Sequence, residues 1–338
     1  MSISKRKQEH IEIALSQSVK FTEKTSGFEK FDLVHCALPE LNMEDIDPQV
    51  QFLGRTLSVP LMITAMTGGF DGAKDINAAL AEACQAEKIA MGLGSQRQML
   101  KDESHLDSFT IARDKGPDIP LVGNIGAVQL VGLSDVSPVC HAVDKIGADA
   151  LAIHLNVLQE ILQPEGNKQF KGMLAGIERT VKALNVPVIV KEIGYGISRE
   201  VALKLKDAGV RIIDIAGAGG TSWTAIESHR AAQDTLAREF RNWGIPASAS
   251  LEMVKDIGLQ TLIASGGIDS GITMAKAIAM GADLCGAALP FLKSYSKYGM
   301  EGVVTLIRQC KEAYKTALLL TGCQNTKALQ TRKPLSTC

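Results

Sequence analysis

From residue 60 onward, short continuous apolar runs alternate with segments whose apolar residues recur at helical spacing. The runs are "PLMITAMTGG" (60–69), "IAMGLGS" (89–95), "PLVGNIG" (120–126), "ALAIHLN" (150–156), "VPVIVKE" (186–192), "RIIDIAG" (211–217), "TLIASGG" (261–267) and "ADLCGAA" (282–288). Apolarity that is continuous rather than alternating predicts strands buried on both faces of a parallel sheet. Helical spacing at 74–86, 171–184, 199–208 and 271–280 lies between the runs. Eight strand–helix units in roughly 230 residues predict an α/β fold, a (β/α)8 TIM barrel rather than a doubly wound sheet.

The ends of the runs carry a second regularity. Nearly every one closes in glycine or a polar residue: Thr67-Gly68-Gly69, Ser95, Asn124, Asn156, Lys191, Gly217, Ser265-Gly266-Gly267. A single such end reads as a turn, but a plain turn does not call for Lys191 or Gln96-Arg97. In a barrel the C-terminal strand ends form the active-site face. No linker divides the chain, so one domain is expected. It comprises an N-terminal extension (1–59, with a helix at 4–16), a barrel core (60–297) and a C-terminal part (298–338). That last part reads as a closing helix at 298–320 followed by a polar, mobile tail.

Composition narrows the function classes. The 36 Lys and Arg balance 37 Asp and Glu, for a net charge of −1. No global basic field exists to attract nucleic acid, so anion binding must come from local clusters. The seven cysteines (Cys36, Cys84, Cys140, Cys285, Cys310, Cys323, Cys338) show no CxxC and no metal-type spacing, as expected of reduced, packed thiols. No signal peptide or membrane span is legible, and a cytoplasmic location is expected.

The glycine-rich ends suggest phosphate binding. "SGGIDSG" (265–271) follows the seventh strand and opens a helix, "GAALP" (286–290) follows the eighth, and "GAGGTSW" (217–223) the sixth. Glycine lets backbone N–H groups approach a phosphate, and a helix N-terminus adds partial positive charge. Three such mouths on adjacent strands favour a phosphorylated cofactor over a lone ion, although each alone also serves a tight turn. A flavin fits the remaining strand ends: its ring needs hydrogen-bond partners and, when reduced, a cation near N1. Met66, Thr67, Ser95, Asn124 and Lys191 offer these. For Lys191, a Schiff-base role and an ion pair with Glu192 stay open.

A second cluster is cationic. "RKQEH" places Arg6 and His10 one helical turn apart beside Lys7, and "GSQRQ" adds Ser95 and Arg97. Alone, the helix reads as a solvated face; with Arg97 it forms a clamp for a diphosphate. Glu160 in "HLNVLQE" (154–160) suits Mg2+, a hard cation that bridges one carboxylate and phosphate oxygens. The same stretch sets a carboxamide, Gln159, where an acid or base is expected.

These motifs, in this order and over nearly the whole chain, resemble the type 2 isopentenyl diphosphate isomerases. The carriers are "RKQEH", "AMTGG" (65–69), "MGLGSQR" (91–97), "GNIGA" (123–127), "HLNVLQE", "VKEIGYGIS" (190–198), "GAGGTSW" and "SGGI" (265–268). The resemblance implies an FMN- and Mg2+-dependent barrel that interconverts isopentenyl and dimethylallyl diphosphate over reduced flavin, with NADPH as flavin reductant. It implies a homo-oligomer, a tetramer or octamer. Carried over by position, Arg6, Lys7, His10, Ser95, Arg97, His154, Asn156 and Gln159 contact substrate, with Gln159, His154 and Asn156 catalytic and Glu160 on the metal. Ala65, Met66, Thr67, Ser95, Asn124, Lys191, Thr221, Gly267, Ile268, Asp269, Ala288 and Leu289 line FMN, with backbone at Gly267 and Ala288 on its phosphate. Three residues depart from the pattern: Ala216 stands for a serine, and Asp269 and Leu289 for arginines. An acidic side chain facing phosphate is repelled, so Asp269 is expected to point away. The nearer rival is an FMN-dependent 2-hydroxy-acid oxidase, for which "ESHR" (227–230) offers His229 and Arg230. The farther ones are a Schiff-base aldolase and a phosphosugar binder.

Overall fold

The computed structural model describes residues 2–100, 103–230 and 235–337. Eight parallel strands close a barrel: β1 (Leu61–Ile63), β2 (Ala90–Gly92), β3 (Leu121–Gly126), β4 (Ala150–His154), β5 (Val188–Lys191), β6 (Ile212–Asp214), β7 (Thr261–Ser265) and β8 (Leu284–Ala287). Closure runs through β8 and β1, with Cys285 opposite Leu61 and Ala287 opposite Ile63. Each strand falls inside its apolar run but is shorter, because the glycine and polar ends leave the ladder to form the mouth.

Strand alternation sends side chains into two cores. Met62, Ala90, Val122, Ala150, Ala152, Ile189, Ile212, Ile263 and Leu284 fill the barrel interior. Phe52 and Leu57, from the hairpin Val50–Phe52/Arg55–Leu57, join this cluster and plug its floor. That hairpin turns through Leu53 and Gly54, both at positive φ (48° and 74°), as a two-residue turn matched to strand twist requires. The other residues of the strands pack outward against helices that include Ala73–Glu87, Met173–Ala183, Arg199–Asp207 and Gly271–Ala279.

Both terminal parts are tied to the barrel. The N-terminal helix (Ile3–Ser16) starts at Ser2, whose Oγ accepts from Lys5 N–H at 3.2 Å. Its buried face is Arg6, His10 and Ala14, the i, i+4, i+8 stripe. Ala14 packs with Ala225 and Ile226 beside Trp223 and Leu289, which lays the helix across the barrel mouth. The closing helix begins nine residues earlier than expected, running Leu289–Leu320 with a kink at Gly299 (φ 65°, ψ −158°). It docks through Arg308 and Lys311 on Glu87, at 2.7 and 2.6 Å.

The C-terminal tail carries secondary structure of its own. Thr326–Gln330 is helical with Leu329 buried, and Leu335–Ser336 pairs antiparallel with Phe31–Asp32. Lone apolar residues there carried too little periodicity to announce docking. The six described cysteines are free thiols, and Cys338 lies outside the described residues. No helix among the described residues is long and apolar enough to cross a membrane.

Candidate active site

A cavity of about 820 Å³ opens over the C-terminal strand ends beneath the N-terminal helix. Every residue that the resemblance assigns to substrate, flavin or metal, from Arg6 to Leu289, lines it, Glu160 included, whereas His229 and Arg230 do not. The glycine mouths follow β6, β7 and β8, while Arg97, Asn124 and the Asn156–Glu160 stretch follow β2, β3 and β4. In the closed strand order these groups face each other across the barrel.

The glycine side is built for backbone contact. Gly219 (φ 116°) lies so close to the N-terminal extension that a Cβ there would sit 2.0 Å from Ser26 N. Gly267 (φ 82°) is in the same left-handed region, which only glycine adopts freely. Helix Gly271–Ala279 points its N-terminus here, capped by Ser270 Oγ on Thr273 N–H at 3.2 Å. The Asp269 side chain is exposed at the rim, where its Oδ1 accepts from Thr273 Oγ1 at 3.0 Å. Its charge is thus engaged by its own helix.

On the central floor, Lys191 donates to the Glu192 main-chain carbonyl at 2.5 Å rather than pairing with the Glu192 carboxylate. That carboxylate turns back to accept the N–H groups of Ile193, Gly194 and Tyr195 at 2.6–2.8 Å. Burial pushes its pKa up to about 7 against those bonds and Lys191. Thr67 Oγ1 is buried with no partner in the protein. An orphan hydroxyl and an ammonium facing a large cavity, opposite backbone-lined glycine mouths, fit a flavin with its phosphate tail.

The opposite wall is a connected polar network. Asn156 Nδ2 donates to Gln159 Oε1 and Glu160 Oε1, both at 3.2 Å, and Asn167 N–H donates to Glu160 Oε2 at 2.6 Å. Gln159 Nε2 donates to Glu227 Oε1 at 3.2 Å. Because a carboxylate only accepts, this bond fixes the carboxamide orientation, with Oε1 toward Asn156. Glu227 also accepts from Gln163 Nε2 at 2.8 Å and Arg230 Nη1 at 2.7 Å, and His10 Nε2 lies 2.9 Å away. Burial opposes ionisation of Glu227, but His10 and Arg230 outweigh it and hold its pKa below the usual carboxylate value.

The cations meet around this network. Arg6 Nη1 donates to Gln163 Oε1 at 3.2 Å, and Lys7 donates to the carbonyls of Gly68 and Ser95 at 2.6 and 2.5 Å. Arg97 Nη1 is 4.0 Å from Glu160 Oε1. Desolvation, then Arg6 and Arg97, lower the Lys7 pKa to about 7. Such crowding of positive charge is costly until an anion enters. Among the described residues no group of three or more His, Cys, Asp or Glu could hold a metal. Glu160 and the unpartnered Asn156 Oδ1 are the oxygen donors that this wall would offer a hard cation.

Sequence reasoning missed Glu227 and Gln163. Gln163 lies four residues beyond Gln159, so helical spacing was its available signal. Glu227 carried none, since it meets Gln159 only because β4 and β6 flank β5 in the barrel. Arg230, the carboxylate ligand that an oxidase would need, binds Glu9, Glu165 and Glu227 at 2.7–3.2 Å. The pairs carry it away from a role on a substrate carboxylate.

Comparison with known proteins agrees with this geometry. The family model of FMN-dependent dehydrogenases matches residues 1–104 and 155–335. Among solved structures, a mandelate oxidase with a monooxide FMN adduct is similar at TM-score 0.65 and 16% identity, covering 97% of this chain and 92% of that one. A protein described as lactate oxidase from Pediococcus acidilactici is similar at TM-score 0.72 and 15% identity, covering 98% and 93%. At that identity the likeness speaks for the fold alone. The class defined by the family model is thus an FMN-dependent barrel.

Curated relatives define the branch. Isopentenyl-diphosphate delta-isomerase of Rickettsia bellii is 50% identical over 294 residues, 86% of this chain and 85% of that protein. The protein of the same name from Rickettsia felis is 48% identical over 330 residues, 96% and 94% of the two chains. The chain belongs to the isopentenyl-diphosphate delta-isomerase family, in its FMN-dependent form.

Proposed function

We propose that this protein is a type 2 isopentenyl-diphosphate delta-isomerase, converting isopentenyl to dimethylallyl diphosphate with reduced FMN and Mg2+, in isoprenoid biosynthesis. The observation that carries the reading is the convergence of Arg6, Lys7, His10 and Arg97 around Glu160, across one cavity from the glycine mouths. A flavin and a diphosphate can then lie in the same space, with the hydrocarbon part between them.

The reaction adds a proton to the terminal methylene of an unactivated alkene and removes another from the carbon on the far side of the double bond. Positive charge develops at the tertiary carbon between them. Reduced FMN, when bound, supplies an electron-rich surface and an exchangeable proton. The protein's own groups do the rest. Arg6, Lys7 and Arg97 hold the diphosphate, and Glu160 presents one carboxylate to its Mg2+. This restrains a leaving group that a cationic intermediate would otherwise lose.

Gln159 is neutral and held at both ends, by Asn156 and Glu227. It can sit near developing positive charge without forming an ester with it, and it aims or relays the proton. NADPH is the proposed reductant that first charges the flavin; no net redox change occurs in turnover. The oxidase rival is disfavoured because Arg230, its best carboxylate ligand, is already paired with Glu9, Glu165 and Glu227.

The test is direct: purify the protein, record flavin absorbance, and follow allylic product with reduced FMN, with and without Mg2+. Product that requires both supports the reading. Bound FMN without isomerisation under reducing conditions overturns it.

A further inference from the structure

Beneath the active-site cavity, inside the barrel, lies a carboxylate that this chemistry leaves unused. Asp214 ends β6 and is 0% exposed. Its Oδ1 accepts from Ser265 Oγ at 2.5 Å and from Ala216 N–H at 3.2 Å. Its Oδ2 is buried without a partner in the protein. A buried carboxylate oxygen left unpaired is costly, so a neighbouring donor is called for.

The geometry supplies one. Strand register sets Asp214 directly beside Lys191 on β5. Both residues line a second, small cavity of about 10 Å³, walled by Met62, Val122, Ala152 and Ile189. That volume is about the least that holds one water, and the two side chains give it polar partners. Lys191 lines both cavities, and its ammonium donates to the Glu192 carbonyl at 2.5 Å. Burial raises the Asp214 pKa, while Lys191 acts against that rise.

We propose that Asp214 is a positioning residue for Lys191, holding its ammonium at the floor of the flavin site through one water and offsetting part of its charge. Asp214 thereby sets how strongly the site favours the anionic, reduced ring. The proposal rests on the flavin reading of the large cavity. A purely structural alternative exists on the same side chain: the Ala216 N–H bond steadies a residue at φ 34° just before the glycine mouth.

The measurement that separates them is the two-electron reduction potential of bound FMN. In Asp214→Asn the uncompensated ammonium should favour reduction at least about tenfold, raising the midpoint by about 30 mV. Asp214→Ser, smaller and equally neutral, reads the same quantity if the amide does not fold. In a Lys191→Gln background the shift should fall below about threefold, or 15 mV. A potential unchanged in both neutral variants, or an equal shift without Lys191, overturns the proposal. A wild-type protein that takes up no FMN would instead overturn the flavin reading itself.

Discussion

Asn124 Oδ1 lies 2.9 Å from His154 Nδ1, and Asn124 Nδ2 donates to the Leu93 carbonyl at 3.0 Å. The second bond assigns the first. With its amide nitrogen committed to Leu93, Asn124 offers His154 an acceptor, so Nδ1 carries the proton. Burial, followed by Lys191, Lys7 and Arg97, pulls the His154 pKa down to about 3. The ring is therefore neutral at physiological pH, with a free lone pair on Nε2.

This state makes a stability prediction. The unfolded chain binds a proton on this histidine below about 6.5, the folded one only below about 3. Stability therefore falls as pH drops through that window, by at most about 1.4 kcal/mol per pH unit. Water in the cavity reduces that bound. His154→Gln should flatten the acid-side loss in urea titrations at pH 7 and pH 5; an undiminished slope would assign it to other groups.

Lys7 makes a binding prediction. Its pKa near 7, against 10.5 when exposed, leaves it mostly neutral at pH 8. Between those values the unfolded chain holds the extra proton, so this group makes folding more favourable as pH rises. A diphosphate draws the pKa back up. Inorganic pyrophosphate binding at pH 8, followed by calorimetry in buffers of differing ionisation enthalpy, should take up close to one proton more in wild type than in Lys7→Met, the anion's own proton change cancelling in the difference. Equal proton changes in the two proteins would falsify the assignment.

Gln159 and Glu160 should separate by cofactor. Gln159→Ala is expected to cut turnover by about 10²-fold or more while flavin binding stays near wild type. Glu160→Gln should instead raise the Mg2+ concentration needed for half-maximal rate. Wild-type turnover in the first variant, or an unchanged Mg2+ requirement in the second, would reassign the residue.

Glu227 has the largest expected structural effect. It joins Gln159, Gln163, Arg230 and His10, so Glu227→Gln should cost about 3 kcal/mol in denaturant unfolding. Arg230 retains Glu9 and Glu165, which keeps the loss at the lower end of the range for a broken buried pair. A change below about 0.5 kcal/mol would show that the network repacks.

Asp269 should matter little. Its carboxylate is exposed and engaged by Thr273, so Asp269→Asn should change FMN affinity less than about threefold by fluorescence quenching. A large gain on neutralisation would mean that the charge does face the phosphate.

The barrel was legible in the chain because its strands are buried on both faces and announce themselves as unbroken apolar runs. The strand ends were legible because "SGGIDSG", "GAGGTSW" and "HLNVLQE" are local arrangements of glycine and polar residues. Their chemistry is written within one turn or one helix start. What no local stretch holds is the meeting of distant side chains. Arg6 reaches Gln163 and Lys7 reaches the carbonyls of Gly68 and Ser95 because the N-terminal helix docks on the mouth, and Gln159 reaches Glu227 because β4 and β6 both pair with β5. Asp214 beside Lys191 is likewise a product of strand register. The carboxamide in "HLNVLQE" could be found by reading; its orientation was decided by Glu227, 68 residues away. A hydrogen bond fixes direction only once both partners are in place.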